Sequence, residues 1–190
     1  MTTSLTVPFQ DRWNETFTDW RLSGALTENY PRIFAGTSDF SPISGTLHVI
    51  AGPKLYAGEV INSFTMGVSG TASVTLTHSW FCLVDPSNLS VVCKTADDTA
   101  AWNSFGLRTV NMGSPFTITA SKSYYIGLLI TAATLPTMKG ANTTSLLGDV
   151  APRESADSTT GLTTPASLGA TAAALTLSAA GSVMPWVGIS

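Results

Sequence analysis

Charge is scarce in this chain. Only 11% of its 190 residues are Asp, Glu, Lys or Arg, about half the usual share. The nine Lys and Arg are scattered singly and the net charge is −3. That excludes a phosphate-tracking surface, which needs clustered cations, so no nucleic-acid partner is expected. Cysteine is limited to Cys82 and Cys93 and histidine to His48 and His78. Two thiols make no disulfide framework, and neither His has an Asp or Glu at zincin spacing. No metal and no cofactor are expected. No apolar run approaches the roughly 18 residues of a bilayer span, the nearest being 124–133 with Gly127 and Thr131 inside it. The first residues hold no cationic stretch leading into an apolar one, so the expectation is a soluble, cytosolically made protein with no membrane partner. A nucleophile elbow, a phosphate loop, dinucleotide glycines and a Cys-x-x-Cys pair are missing too.

What is present is 44% hydrophobic residues set among 50 Ser and Thr. Such a chain has enough apolar surface to fold, and its small neutral residues disfavour long helices. From 45 to 132 apolar and small polar residues alternate in short runs broken by Gly, Pro and Asn, the pattern of half-buried strands. In 59–69, Val60, Phe64, Met66 and Val68 share one parity, opposite Ser63, Thr65 and Gly67. This predicts one core face and one wet face. In 79–85, Phe81 and Leu83 oppose Trp80, Cys82 and Val84, so both faces of that strand should be covered. Asp85-Pro-Ser-Asn88 supplies a turn into a strand at 90–95. Further strands are predicted at 108–112 and 116–120, parted by Gly113-Ser-Pro115, and at 124–131, 173–178 and 183–189. About nine short strands predict an all-β, antiparallel two-sheet sandwich, jelly-roll-like, with an N-terminal arm. The sandwich is assigned to 45–190, with a long polar insertion at 133–172, and the arm to 1–44.

The arm is rich in aromatics. Phe9, Trp13, Phe17 and Trp20 are spaced four, four and three apart, so a short helix started by Pro8 would carry all four on one face. Either that face packs on its own sandwich or it anchors the chain in another subunit. Ala96-Asp-Asp-Thr-Ala-Ala-Trp102 reads as one or two helical turns, with Asp97 or Asp98 as N-cap. Trp102 and Tyr125 are candidates for an exposed ring platform that stacks on a sugar or meets another subunit. Asp85, Asp97, Asp98 and Glu59 form no pattern that would single out a glycosidase pair. Eleven residues apart across a hairpin, Cys82 and Cys93 permit a cross-strand disulfide, while a reducing compartment favours two buried thiols.

The run from His78-Ser-Trp-Phe-Cys-Leu-Val-Asp85 through Pro-Ser-Asn-Leu-Ser-Val-Val-Cys-Lys-Thr-Ala-Asp-Asp98, then Ala101-Trp102 and Ser123-Tyr-Tyr-Ile-Gly-Leu-Leu129, resembles the β-sandwich domain of tailed-phage virion surface proteins from actinobacterial viruses. Asn29-Tyr-Pro-Arg32, Leu55-Tyr-Ala-Gly-Glu-Val60 and the closing Met184-Pro-Trp-Val-Gly-Ile189 are similar to the same group. The resemblance implies a structural or adhesive module and no enzyme. Lacking a fibre shaft, the chain fits a capsid decoration or capsid-fibre subunit of a virion, assembled in the host cytoplasm. Its implied partners are the major capsid protein or other virion proteins and further copies of itself, a trimer favoured. The alternative is a tail-tip or fibre-borne protein that binds a host glycan. Particle anchoring would fall to Phe9, Trp13, Phe17 and Trp20.

Overall fold

A computed structural model describes residues 26–30, 32, 35–36, 38–142, 154–156, 162–167 and 183–190. The described chain forms strands β1 (Thr27–Glu28), β2 (Ser38–Phe40), β3 (Leu47–Leu55), β4 (Val60–Val68), β5 (Val74–Asp85), β6 (Ser90–Lys94), β7 (Gly106–Thr117), β8 (Lys122–Thr134), β9 (Met138–Asn142), β10 (Glu154–Ala156), β11 (Val183–Pro185) and β12 (Gly188–Ile189). A 3-10 turn spans Pro165–Ser167. Every strand pairing is antiparallel. One sheet has seven strands, running β1-β12-β4-β9-β11 with β7 beside β4 and β2 beside β9, and the other has five in the order β10-β3-β8-β5-β6. The protein is therefore the expected two-sheet antiparallel sandwich, although this strand order does not establish a jelly-roll winding. Part of 1–44 belongs to the sheets, since β1 and β2 lie in the seven-stranded one. So does part of 133–172, through β9 and β10.

The core follows from alternation. Phe64, Met66 and Val68 of β4 face Phe81 and Leu83 of β5 and Ile126, Leu128 and Ile130 of β8. Phe64 and Phe81 stack across the sheets, ring centres 4.9 Å apart and 9° from parallel, and Trp102 meets Phe81 edge-on at 6.0 Å. β5 is covered on both faces as expected. Its outward Trp80, Cys82 and Val84 pack with Leu47, Val49, Leu129 and Leu162, and the Trp80 indole N–H donates to the Thr163 carbonyl at 2.8 Å. The predicted turn also forms. The Asp85 carboxylate accepts from the Ser87 amide at 3.0 Å and its hydroxyl at 2.7 Å.

Four expectations need correction. Parity in β4 breaks at a register shift between Ile61 and Ser63, so Ile61 is buried while Val60 is 49% exposed. The face expected to be wet is closed as well, with Ser63 and Thr65 buried. Ser63 bonds the Ser190 hydroxyl at 2.7 Å and Thr65 bonds Thr109 across β7 at 2.9 Å. The strands expected at 108–112 and 116–120 are one strand, β7, in which Met112 to Pro115 bulge opposite the single Asn62. An edge position tolerates this, because Pro115 withholds no hydrogen bond from a second neighbour. Finally, 96–102 is not helical. Asp97 instead bonds His78 and Ser79 of β5, while the Asp98 carboxylate holds a turn through the Ala100 amide, and an isolated helix of one or two turns is too short to compete.

The first and last described strands meet in the seven-stranded sheet. β12 lies between β1 and β4, and Asn29 fastens the junction. Its amide donates to the Pro185 carbonyl at 3.0 Å and the Ala51 carbonyl at 3.3 Å, and its side-chain oxygen accepts from the Val187 amide at 2.9 Å. Ala51 belongs to the other sheet, so one side chain bonds both layers. Tyr30 donates to the Met184 carbonyl at 3.0 Å, and the Arg32 guanidinium lies 4.7 Å over the Trp186 ring.

Candidate functional site

Six strand ends converge at one end of the sandwich: the starts of β3, β5, β7 and β9 and the finishes of β4 and β8. The segment 95–105 crosses this end and is held there residue by residue. Asp97 accepts from the Ser79 amide at 2.8 Å and lies 2.6 Å from His78 Nδ1. The Asp98 amide donates to the Ser79 carbonyl at 2.8 Å, and its carboxylate accepts from the Ala100 amide at 2.8 Å. The Trp102 indole N–H donates to the Ser79 hydroxyl. The Ser73 amide and hydroxyl donate to the Trp102 carbonyl and the Asn103 side chain, each at 2.8 Å. Beyond them the Arg108 guanidinium donates to the Ser104 carbonyl at 2.9 Å and to the Phe105 carbonyl. Gly106 supplies the turn with a φ of 97°, a left-handed conformation that a side chain would strain.

This scaffold presents apolar side chains to solvent. Ile43 (58% exposed), Val74 (56%), Phe105 (58%) and Leu107 (53%) all lie at this end, whereas Val60 is the one comparably exposed large apolar residue at the other end among the described residues. All four lie at the same end of the sandwich, the distribution that an apolar contact surface would have.

The chemical groups expected to matter are placed as follows. Trp102 is fully buried, so the exposed sugar-stacking ring expected of it is not there; the indole fills the core against Phe81. Tyr125 is half-buried against the Leu47, Val49 and Trp80 cluster on the outer face of the five-stranded sheet. Phe9, Trp13, Phe17 and Trp20 lie outside the described residues. His48 is buried, where its Nε2 accepts from the Ile43 amide at 2.8 Å and its ring stands edge-on to Phe40. His78 and Asp97 form an imidazole–carboxylate pair, 26% and 22% exposed. Such a pair can orient a base. The two hydroxyls that flank it on its strand, Thr77 and Ser79, are engaged with the Thr131 carbonyl and the Trp102 indole. Among the described residues no three metal-ligating side chains gather.

Both cysteines are free. Cys93 is the register partner of Leu83, and Cys82 that of Lys94. Directly opposed residues share a face, so the two sulfurs sit on opposite faces of the sheet and cannot join. Burial pushes the Cys82 thiol up to about 12 and the Cys93 thiol up to about 11, which makes both poor nucleophiles.

The rim of exposed apolar residues was not readable from the sequence, because Phe105 and Leu107 flank a strand just as core residues do. The Asp97–His78 contact was hidden as well, being set by a 19-residue separation and no local pattern. Compared with known proteins, the chain matches no family model and no curated protein.

Proposed function

We propose that this chain is a structural, non-catalytic protein of a tailed-phage particle, a decoration or capsid-fibre subunit on the capsid exterior. It acts by burying apolar surface in neighbouring subunits. The observation that carries the reading is the gathering of Ile43, Val74, Phe105 and Leu107 at one end of a sandwich whose other large side chains are mostly buried. Apolar patches on otherwise closed domains serve association. The resemblance of 29–132 to virion surface sandwiches supplies the setting. In this reading the segment holding Phe9, Trp13, Phe17 and Trp20 is the anchor, inserted in an adjacent subunit of the particle.

Removing residues 1–24 tests this. The truncated protein, which keeps β1, is expected to remain folded by circular dichroism and to stop co-sedimenting with particles. Truncated protein that still binds particles would overturn the anchoring role. Binding of the intact protein to a host-glycan array would instead assign it to the receptor-binding class.

A further inference from the structure

We propose that β7 is a self-pairing edge: two copies of this chain join their seven-stranded sheets by laying the first halves of their β7 strands side by side, antiparallel, about a two-fold axis at Thr109. This pairing goes beyond the particle reading and holds independently of it.

β7 is the long edge of its sheet. It pairs with β4, and among the described residues no strand lies on its other side. Eight of its twelve residues are exposed, whereas the five residues of β6, at the edge of the other sheet, are all half-buried. Twelve residues of strand extend about 40 Å. Backbone N–H and C=O groups along such an edge are a template for a further strand.

An exposed edge is ordinarily blocked by charge, proline or a bulge. β7 is blocked in its second half alone, where the bulge over 112–115 sits and Pro115 lies within it. The first half keeps unbroken register with β4, from Gly106 opposite Val68 to Asn111 opposite Ser63. Its one charged residue is Arg108, and that guanidinium is turned back onto the Ser104 and Phe105 carbonyls. This half is left open to pairing.

The residues of the first half select both the partner and the register. Val110 faces the core, while Leu107 and Asn111 are exposed on the opposite face and the Thr109 hydroxyl bonds that of Thr65 at 2.9 Å. Directly opposed residues of an antiparallel pair share a face, so a two-fold axis falls on a residue and not between two. An axis at Arg108 would set two like charges opposite one another. At Val110 or Asn111 it would draw the bulge into the ladder, and at Leu107 the turn at Gly106 would cut the ladder short. At Thr109 each of these is avoided. Leu107 then meets Asn111 of the second copy, Arg108 meets Val110, and the two Thr109 hydroxyls meet at the axis, a favourable cross-strand pair. Each molecule has one β7, so this contact forms only between copies. It is isologous and closes at two chains, in place of the trimer that the resemblance favours.

Sedimentation velocity of the full chain at rising concentration should show monomer passing into dimer and no larger species. Leu107→Lys/Asn111→Lys places like charges opposite one another in both outer pairs and should weaken the dimer by more than about tenfold. Leu107→Lys/Asn111→Glu makes the same two pairs attractive and should return the affinity to within about threefold of the intact chain. Both positions are exposed, so circular dichroism and melting should match the intact protein. Cysteine cross-linking reads the register without added charge. Oxidised Thr109→Cys should give a disulfide-linked dimer, because the two thiols meet at the axis. Asn111→Cys should not, since its two thiols would be about 14 Å apart; the intact chain controls for Cys82 and Cys93. Intact protein that is monomeric at every concentration overturns the proposal. So does a double-lysine variant that dimerises as tightly as the intact chain, or Asn111→Cys that cross-links as readily as Thr109→Cys.

Discussion

Asp85 combines a turn with an ion pair. Lys122 first, then the Ser87 hydroxyl and amide, hold its carboxyl down from the ordinary 3.8 to about 2. Because the folded-state value lies below that of an unfolded aspartate, the stabilisation is complete at neutral pH. It is lost as pH falls through the window from about 4 to about 2. Lys122→Met should therefore lower stability by about 1 kcal/mol at pH 7, the scale of a partly exposed charge-assisted bond. It should also flatten the acid limb of stability across that window. Urea midpoints measured from pH 7 to pH 2 check both, and an unchanged acid limb would remove Lys122 from the account. Sequence showed the turn, since Asp followed by Pro is local chemistry. It could not show Lys122, 37 residues away.

At the scale of strands, close approach decides where side chains are forbidden. Gly127 of β8 lies opposite Cys82 of β5, and a methyl group there would sit 2.4 Å from the Cys82 sulfur and 3.2 Å from a Leu47 methyl. Gly127→Ala should cost about 1–3 kcal/mol through overpacking. Adding Cys82→Ala should recover part of that loss, so the double variant is more stable than the sum of the two singles implies. Urea denaturation of the four proteins gives the coupling, and strict additivity would mean the sulfur is not the obstacle. Alternation made Phe64 to Val68 and Phe81 to Val84 readable as strands, because a residue's side is set by parity alone. Where a bulge intervenes parity fails, as at Ile61 and between Met112 and Pro115. The segment 96–102 was read as a helix on local capping chemistry. Its Asp97 went to His78 and Ser79, a choice made by tertiary neighbours that no local pattern encodes.

For the molecule as a whole, the arrangement of the first and last described strands matters most. The alternation between 45 and 132 predicts a sandwich, but nothing in it says that residues 27–28 and 188–189 lie side by side, or that Asn29 bonds both sheets. Those pairings join positions some 160 residues apart, and only the closed fold brings them together. They also fix how the protein responds to load. Thr27 and Ile189 are register partners, so a pull applied through Leu26 and Ser190 acts across the β1–β12 pair and strains its few hydrogen bonds one after another instead of all at once. Optical-tweezer unfolding through those two positions should begin at lower force than unfolding through Leu47 and Lys122, which sit at opposite ends of the β3–β8 ladder and so load its seven pairs together; equal onset forces would contradict this. A subunit tethered by its N-terminal segment would therefore have a mechanical fuse at β1, peeling open there under tension while the rest of the sandwich stays closed.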